Sequence, residues 1–132
     1  MIFGIGTDII RIDRIAAAVA RHGDRFAGKI LGPQEMEKYL RRKAKVEARG
    51  IRFLATRFAA KEALVKAMGT GFRQGVWLRD VGMVQEPSGR PVPVFSAAAR
   101  ARLDAAGAGE GHLTLSDEAG LVVAVAVILR RA

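Results

Sequence analysis

The residues best suited to chemistry are an acid and a base on one predicted helix. Glu62 and Lys66 are four residues apart, so on a helix they share a face, one turn from each other. A carboxylate at the edge of an apolar stripe can bind a cation, and a lysine one turn later can contact a phosphate held by that cation. The alternative is an ordinary surface ion pair, worth about 0.2–0.5 kcal/mol. The spacing alone favours that alternative, because such pairs are common.

A second carboxylate follows the predicted first strand. Asp8 lies on the same side of that strand as Gly4 and Gly6, and we expect the two glycines to leave space beside it. The alternative is that Asp8 caps a helix beginning at Ile9, although one carboxylate has oxygens for both roles. The chain has no cysteine and only two histidines. Asp8 and Glu62 together therefore suit an oxygen-preferring cation such as Mg²⁺, with water and phosphate as its other ligands.

Three other features could contact a ligand. Lys61 falls inside the apolar stripe, where the alternative is a lysine whose stem packs while its ammonium reaches water. Gly69-Thr70-Gly71 could present backbone N–H groups to phosphate, but the pattern is more typical of a helix end. His112 could contact a phosphate, although a lone histidine is more often structural. Small residues beside Glu62 predict room for a bulky ligand against the helix: Ala55, Ala59 and Ala63.

The elements that position these residues alternate between strands and helices. We predict strands over 2–7, 81–85, 92–95, 112–116 and 121–129, and helices over 9–22, 24–30, 34–48, 51–68 and 96–106. Gly50 is expected to separate two helices, Leu40 to face inward, and the apolar strand Leu121–Leu129 to be buried on both faces. The pattern predicts an α+β fold, with helices packed on a largely antiparallel sheet. The 132 residues suit a single domain spanning 1–132.

The chain carries a net charge of +9, which favours an anionic partner. Arg14, Arg21 and Arg25 are spaced to form either a solvated face or a docking strip for an acidic helix. A basic nucleic-acid-binding protein is the alternative function, but the chain has no recognised nucleic-acid motif. Neither nucleic acid nor a membrane is expected as a partner. The absence of cysteine and of a signal-peptide pattern at the N-terminus suggests a cytoplasmic protein.

Four segments together resemble the short bacterial holo-acyl-carrier-protein synthases, a phosphopantetheinyl transferase family. Residues 4–9, Gly-Ile-Gly-Thr-Asp-Ile, are similar to the opening strand of that family. Residues 57–71 resemble its signature helix, 89–91 (Gly-Arg-Pro) its Gly-Lys-Pro turn, and 112–118 its late strand. Many relatives have histidine at the position of Asp117, so that residue is left without a role.

The resemblance implies a trimer in which Mg²⁺ is held by Asp8 and Glu62, which could come from different chains. Together with Lys66 they would form the catalytic set, and the first helix would dock an acidic acyl carrier protein through Arg14, Arg21 and Arg25. The residues expected at coenzyme A are Arg57, Lys61, Lys66, Gly69, Thr70, Gly71, Pro91 and His112.

The implied reaction transfers the 4'-phosphopantetheine of coenzyme A to a serine of apo-acyl carrier protein, in support of fatty acid biosynthesis. The serine attacks the β-phosphorus and releases adenosine 3',5'-bisphosphate. Such transfers depend on positioning and charge stabilisation. Either a metal-bound water or Glu62 would accept the serine proton.

Overall fold

A computed structural model describes residues 1–69 and 76–132, which form five strands and five α-helices. The strands are β1 Ile2–Arg11, β2 Val81–Gln85, β3 Pro91–Phe95, β4 Ala108–Glu118 and β5 Leu121–Arg130. The α-helices are α1 Ile12–His22, α2 Asp24–Ile30, α3 Pro33–Lys45, α4 Glu47–Met68 and α5 Ala97–Ala105, and a 3₁₀ turn spans Leu78–Asp80.

The central sheet has the strand order β1-β5-β4, and β2 pairs with β3 in a separate hairpin. Every pairing is antiparallel. Alternate residues of β5 form the inner face of the sheet and are fully buried, and α4 covers this face. They are Val122, Ala124, Ala126 and Ile128. The prediction of an α+β fold with helices on an antiparallel sheet is therefore confirmed.

Strand β1 lies directly against the backbone of α4. A Cβ atom on Gly4 would overlap the carbonyl oxygen of Ala67, and one on Gly6 would overlap that of Ala63. The expectation that these glycines leave space beside Asp8 was wrong, because helix backbone fills that space. The expectation of ligand room beside the small residues of α4 was also wrong. Ala55, Ala59 and Ala63 are fully buried.

We expect Gly6→Ala to be strongly destabilising. Its methyl group would overlap the Ala63 carbonyl and lie 2.7 Å from the Ala67 nitrogen, so strand and helix must separate, at a cost of about 1–3 kcal/mol or more. Chemical denaturation measures the effect. Gly28→Ala is the matched control, since a Cβ there meets no atom within 4 Å and alanine suits a helix better. Equal stability of the two variants would contradict the close packing.

Two predicted helix boundaries were wrong. Helix α1 begins at Ile12 rather than Ile9, because β1 continues to pair with β5 as far as Arg11. Asp8 therefore lies within the strand and does not cap the helix. The break between α3 and α4 falls at Val46, and Gly50 lies inside α4. Glycine is needed there because a Cβ would lie 2.5 Å from the Lys43 Cβ on α3.

Two burial predictions were also wrong for the single chain. Leu40 is 42% exposed, since α3 turns its neighbour Tyr39 to the core instead. The outer face of the central sheet is uncovered as well, with Ile5 and Ile9 57% and 62% exposed. Strand β5 is therefore buried on one face only. Within residues 1–69 and 76–132, we find no helix with the length and apolar character needed to cross a membrane.

Candidate active site

Strand and helix bring the three predicted catalytic residues together in one chain. Gly4 contacts α4 at Ala67 and Gly6 contacts it at Ala63, so the strand and helix run antiparallel. Two residues further along β1, Asp8 reaches the helical turn that contains Glu62. The Lys66 ammonium donates to the carbonyl oxygen of Thr7 at 2.9 Å and lies 3.4 Å from Asp8 Oδ1. Asp8 and Glu62 of one chain are therefore close enough to act together, so the site does not require them to come from different chains.

Both carboxylates are electrostatically strained. Burial raises the pKa of Asp8, and the nearby Lys66 and Arg14 oppose that change. Burial also raises the pKa of Glu62, the negative charge of Asp8 raises it further, and Lys66 lowers it. Lost hydration therefore disfavours the charged form of both acids, and repulsion by Asp8 further disfavours the charged form of Glu62. Additional positive charge between them would relieve both effects.

The donor set suits a hard divalent cation. Asp8 Oδ2 is buried and has no hydrogen-bond partner, so this oxygen is free to bind an ion. Within the described parts of the chain, no group of three or more histidine, aspartate or glutamate side chains could enclose a metal by itself. An ion held by Asp8 and Glu62 would take its other ligands from water and substrate phosphate, as Mg²⁺ commonly does. The residues present therefore fit Mg²⁺.

Lys61 does not face the site. Its ammonium is fully buried and bonded to Glu35 and two backbone carbonyl oxygens. The structure therefore does not support the predicted contact between Lys61 and coenzyme A.

Gly69 ends helix α4, because it has φ +79° and its N–H donates to the carbonyl oxygen of Lys66. Thr70 and Gly71, also predicted to contact coenzyme A, lie outside the described residues.

A basic cavity of about 620 Å³, which the sequence analysis did not predict, opens between α3 and α4. Arg57 lies in its wall, 6% exposed, with its Nε 3.4 Å from Glu35 Oε2. The guanidinium groups of Arg42 and Arg57 lie 4.9 and 4.6 Å from the ring centroid of Phe53, which orders both cations. The lining residues are Arg41, Arg42, Lys45, Arg49, Arg52, Phe53, Thr56, Arg57 and Gln85.

The run of basic residues at the end of α3 was the available signal for this cavity. Its pairing with arginines of α4 could not be read from the spacing within either helix. One of those arginines, Arg52, has its Nε 3.5 Å from Asp117 Oδ2 on β4. Asp117, which had no predicted role, therefore lies beside the basic cavity.

Pro91 and His112 share a separate cavity of about 330 Å³, with Arg90 and Arg100 also in its wall. His112 lies beside Val127 of β5, which in turn pairs with Ile5 of β1. These positions are on the outer face of the sheet, whereas Asp8 is on the inner face beside α4. The structure therefore brings Pro91 and His112 together but does not place them at Asp8 and Glu62.

The three predicted docking arginines are exposed. Arg14 is close enough to Asp8 to lower its pKa. Arg21 and Arg25 lie together in the wall of a surface cavity with His22, Phe26 and Lys29, although Gly23 separates α1 from α2. A basic strip therefore extends from the carboxylate pair along α1 to α2.

Comparison with known proteins identifies the superfamily and the family of this chain. The sequence model of the 4'-phosphopantetheinyl transferase superfamily matches residues 4–125. A holo-[acyl-carrier-protein] synthase of Herminiimonas arsenicoxydans is 49% identical over 131 residues, which cover 99% of this chain and 100% of the relative. This chain therefore belongs to the holo-[acyl-carrier-protein] synthase family of that superfamily.

Solved structures agree with this assignment. The holo-[acyl-carrier-protein] synthase of Neisseria meningitidis is 37% identical, with a TM-score of 0.89 over 98% of this chain and 100% of that one. The enzyme of Helicobacter pylori, solved in complex with coenzyme A, is 28% identical, with a TM-score of 0.75 over 94% of this chain and 98% of that one. The resemblance inferred from the four sequence segments is confirmed.

Proposed function

We propose that this chain transfers the 4'-phosphopantetheine group of coenzyme A to a serine of apo-acyl carrier protein. The observation that carries the proposal is the convergence of Asp8, Glu62 and Lys66 between β1 and α4. The serine oxygen attacks the β-phosphorus, the bond from that phosphorus to the bridging oxygen breaks, and adenosine 3',5'-bisphosphate leaves. The serine proton passes during the attack either to Glu62 or to a water molecule.

The side chains contribute charge and position. Asp8 and Glu62 would hold Mg²⁺, which when bound neutralises charge on the pyrophosphate. Lys66, about half exposed and tethered to the Thr7 carbonyl, presents a cation to the oxygen that acquires charge as the bond breaks. Such fixed charges stabilise the transition state because they need no rearrangement during the reaction.

The basic cavity is the proposed site for the phosphates of the nucleotide end of coenzyme A. Arg57 is held in its wall by Glu35 and by stacking on Phe53, so its donors are already oriented. Arginine is well suited to phosphate because its planar group donates two parallel hydrogen bonds. Helix α4 contributes residues to this cavity and also carries Glu62 and Lys66, so one bound coenzyme A would contact the same helix at both places. The relative solved with coenzyme A supports this choice of ligand.

We further propose that three chains assemble through the outer face of the sheet. That face carries Ile5, Ile9 and Val123, which are 57%, 62% and 36% exposed in the single chain. Adjacent apolar side chains of this kind commonly mark a protein interface. Assembly would bring Pro91 and His112 of one chain toward the Asp8–Glu62 site of its neighbour, where they would contact coenzyme A.

The basic strip along α1 and α2 is the proposed docking surface for the carrier protein, which we take to be acidic. Arg14 links this surface to the metal carboxylates through its effect on Asp8. A carrier helix bound there would present its serine beside the site. We expect the reaction to take place in the cytoplasm, which suits a chain without cysteine.

We expect Arg14→Glu and Arg21→Glu each to raise the KM for carrier protein about tenfold, because charge reversal weakens electrostatic association. In Arg21→Glu the KM for coenzyme A should stay unchanged, and added salt should shrink the difference in carrier KM between each variant and wild type. Arg131→Glu, with the same charge change near the C-terminus, is the control. If the KM for carrier protein in both variants equals that of wild type, α1 is not part of the docking surface.

Intact mass spectrometry tests the reaction itself. Apo-acyl carrier protein is incubated with this protein, coenzyme A and Mg²⁺, and the carrier should gain one phosphopantetheine. Omission of Mg²⁺ and substitution of the acceptor serine are the controls. No mass gain would contradict the proposal. If, in addition, the protein bound generic DNA in a salt-sensitive manner, the nucleic-acid alternative would be favoured.

A further inference from the structure

The ammonium of Lys61 is buried where no substrate reaches it. Lysine is almost never fully buried unless it is paired, yet Lys61 is 0% exposed. Its ammonium donates to Glu35 Oε1 at 2.6 Å and to the carbonyl oxygens of Val81 and Leu78 at 2.7 and 3.1 Å. These contacts occupy all three donors of the group.

The three acceptors belong to different parts of the fold. Glu35 lies in the first turn of α3, where its Oε1 also accepts a hydrogen bond from the Gly32 N–H at 3.1 Å. Leu78 and Val81 lie at the start and just after the end of the 3₁₀ turn that leads into β2. Lys61 therefore joins α4 to the start of α3 and to the chain that enters the hairpin.

The 3₁₀ turn is itself fixed to α5. Asp80 accepts a hydrogen bond from the Trp77 N–H at 2.8 Å and another from the Ser96 hydroxyl at 2.8 Å. The Ser96 N–H donates to the Asp80 carbonyl oxygen at 2.7 Å, and the Ser96 oxygen caps α5 through the Ala99 N–H. Lys61 is therefore hydrogen-bonded to a 3₁₀ turn that is itself held in place by hydrogen bonds to the start of α5.

The next residue after Lys61 is Glu62. Side chains of successive residues in an α-helix point about 100° apart, so fixing Lys61 inward fixes the direction of Glu62. On its other side the same helix is held by the contact of Gly6 with Ala63. This turn of α4 is therefore constrained from two sides.

We propose that Lys61 is a positioning residue whose three contacts set the rotation of this turn of α4 and hold the Glu62 carboxylate beside Asp8. The inference rests on the proposed function, because it assigns Lys61 a role in the same transfer. The competing explanation is that Lys61 only neutralises the buried charge of Glu35. The two explanations differ in what happens when both charges are removed.

The test compares Lys61→Met, Glu35→Gln and the double variant Lys61→Met/Glu35→Gln with wild type. Methionine keeps the length of the side chain without its donors, and glutamine keeps an oxygen for the Gly32 cap. The measurements are the thermal unfolding midpoint, the rise in that midpoint on adding Mg²⁺, and kcat and KM for both substrates. Leu103→Ala on α5, where Leu103 is 1% exposed, is the control that lowers stability away from Glu62.

Lys61→Met should lower the midpoint, reduce kcat by about 10–100-fold and weaken the response to Mg²⁺, as is typical when support of a metal ligand is lost. The double variant should regain part of the midpoint, because the Glu35 charge that has lost Lys61 is removed, although Arg57 then loses its carboxylate partner. It should regain neither kcat nor the Mg²⁺ response. Glu35→Gln should lower the midpoint and raise the KM for coenzyme A, because Arg57 loses its carboxylate partner, but its kcat should stay near that of wild type since Lys61 keeps its backbone contacts. Leu103→Ala should lower the midpoint and leave both kcat and the Mg²⁺ response unchanged.

A double variant that regains kcat together with its midpoint would overturn the inference, and so would Glu35→Gln with a kcat as low as that of Lys61→Met. If the wild type modifies the carrier and Lys61→Met is fully active, this inference alone fails. If the wild type does not modify the carrier, the proposed function fails first.

Discussion

Glu62→Gln should abolish phosphopantetheine transfer while raising the stability of the metal-free protein. Glutamine keeps the size of the side chain but loses the charge that, in the proposed function, holds the cation. The same change removes a half-buried carboxylate whose charged form is disfavoured by lost hydration and by the charge of Asp8. Loss of a group on which catalysis depends, combined with a gain in folding stability, is the pattern expected of a strained active site.

The pH dependence of the stability gain follows from the raised pKa of Glu62. As pH rises, the unfolded chain loses this proton first, so the wild type loses stability between the ordinary and the raised pKa. The glutamine variant resembles the protonated form at every pH. The two proteins should be equally stable in acid, and the variant should be the more stable at neutral pH.

Intact mass spectrometry of the carrier protein measures the transfer, and unfolding with and without Mg²⁺ measures the stability. Mg²⁺ should raise the midpoint of the wild type, because it binds the folded form, but not that of the variant. Glu47→Gln, an exposed acid in the first turn of α4, is the matched control and should behave as wild type. Normal transfer by Glu62→Gln would remove Glu62 from the metal site.

Replacing both Ile5 and Ile9 with lysine should turn the proposed trimer into a monomer with an incomplete active site. Both side chains are more than half exposed in the single chain, so the isolated fold tolerates the change. In an assembled trimer the added charges would be buried without partners, which is strongly unfavourable. The activity should fall to about one per cent of wild type or less, because a site without its neighbour's residues no longer positions coenzyme A.

Sedimentation velocity measures the assembly, circular dichroism the fold and mass spectrometry the transfer. Leu40→Lys carries the same change at an exposed apolar residue of α3 and should remain a fully active trimer. A folded monomer with wild-type activity would show that one chain holds a complete site. A wild type that sediments as a monomer would contradict the proposed assembly directly.

The proposed catalytic set of Asp8, Glu62 and Lys66 was predicted from the family resemblance, and the sequence pattern added only how its members are oriented. Glu62 and Lys66 share a helix face by spacing, and the alternation of β1 puts Asp8 on the side of Gly4 and Gly6. The direction of Lys61 could not be predicted in the same way. Its acceptors at Glu35 and Val81 are 26 and 20 residues away in sequence, and only folding brings them to the lysine.

The break between α3 and α4 shows a similar limit of prediction from sequence. Glycine commonly ends helices, so the sequence predicts a boundary at Gly50, but this glycine instead lets α3 pass close to α4 at Lys43. The same residue type serves both purposes, and sequence position alone does not distinguish them. The basic cavity was missed for a related reason, since its arginines come from two helices whose facing sides are set by that packing.

The direct backbone contact between β1 and α4 affects how this enzyme tolerates substitutions in its core. Where large side chains separate two elements, each core substitution alters their distance. Here main-chain atoms meet with almost nothing between them, so the distance between the two backbones that carry the acids is set by peptide geometry. The proposed cation pocket should therefore keep this backbone spacing while distant parts of the core drift, and a redesign of those parts could proceed without retuning it as long as the contacts of Lys61 are kept.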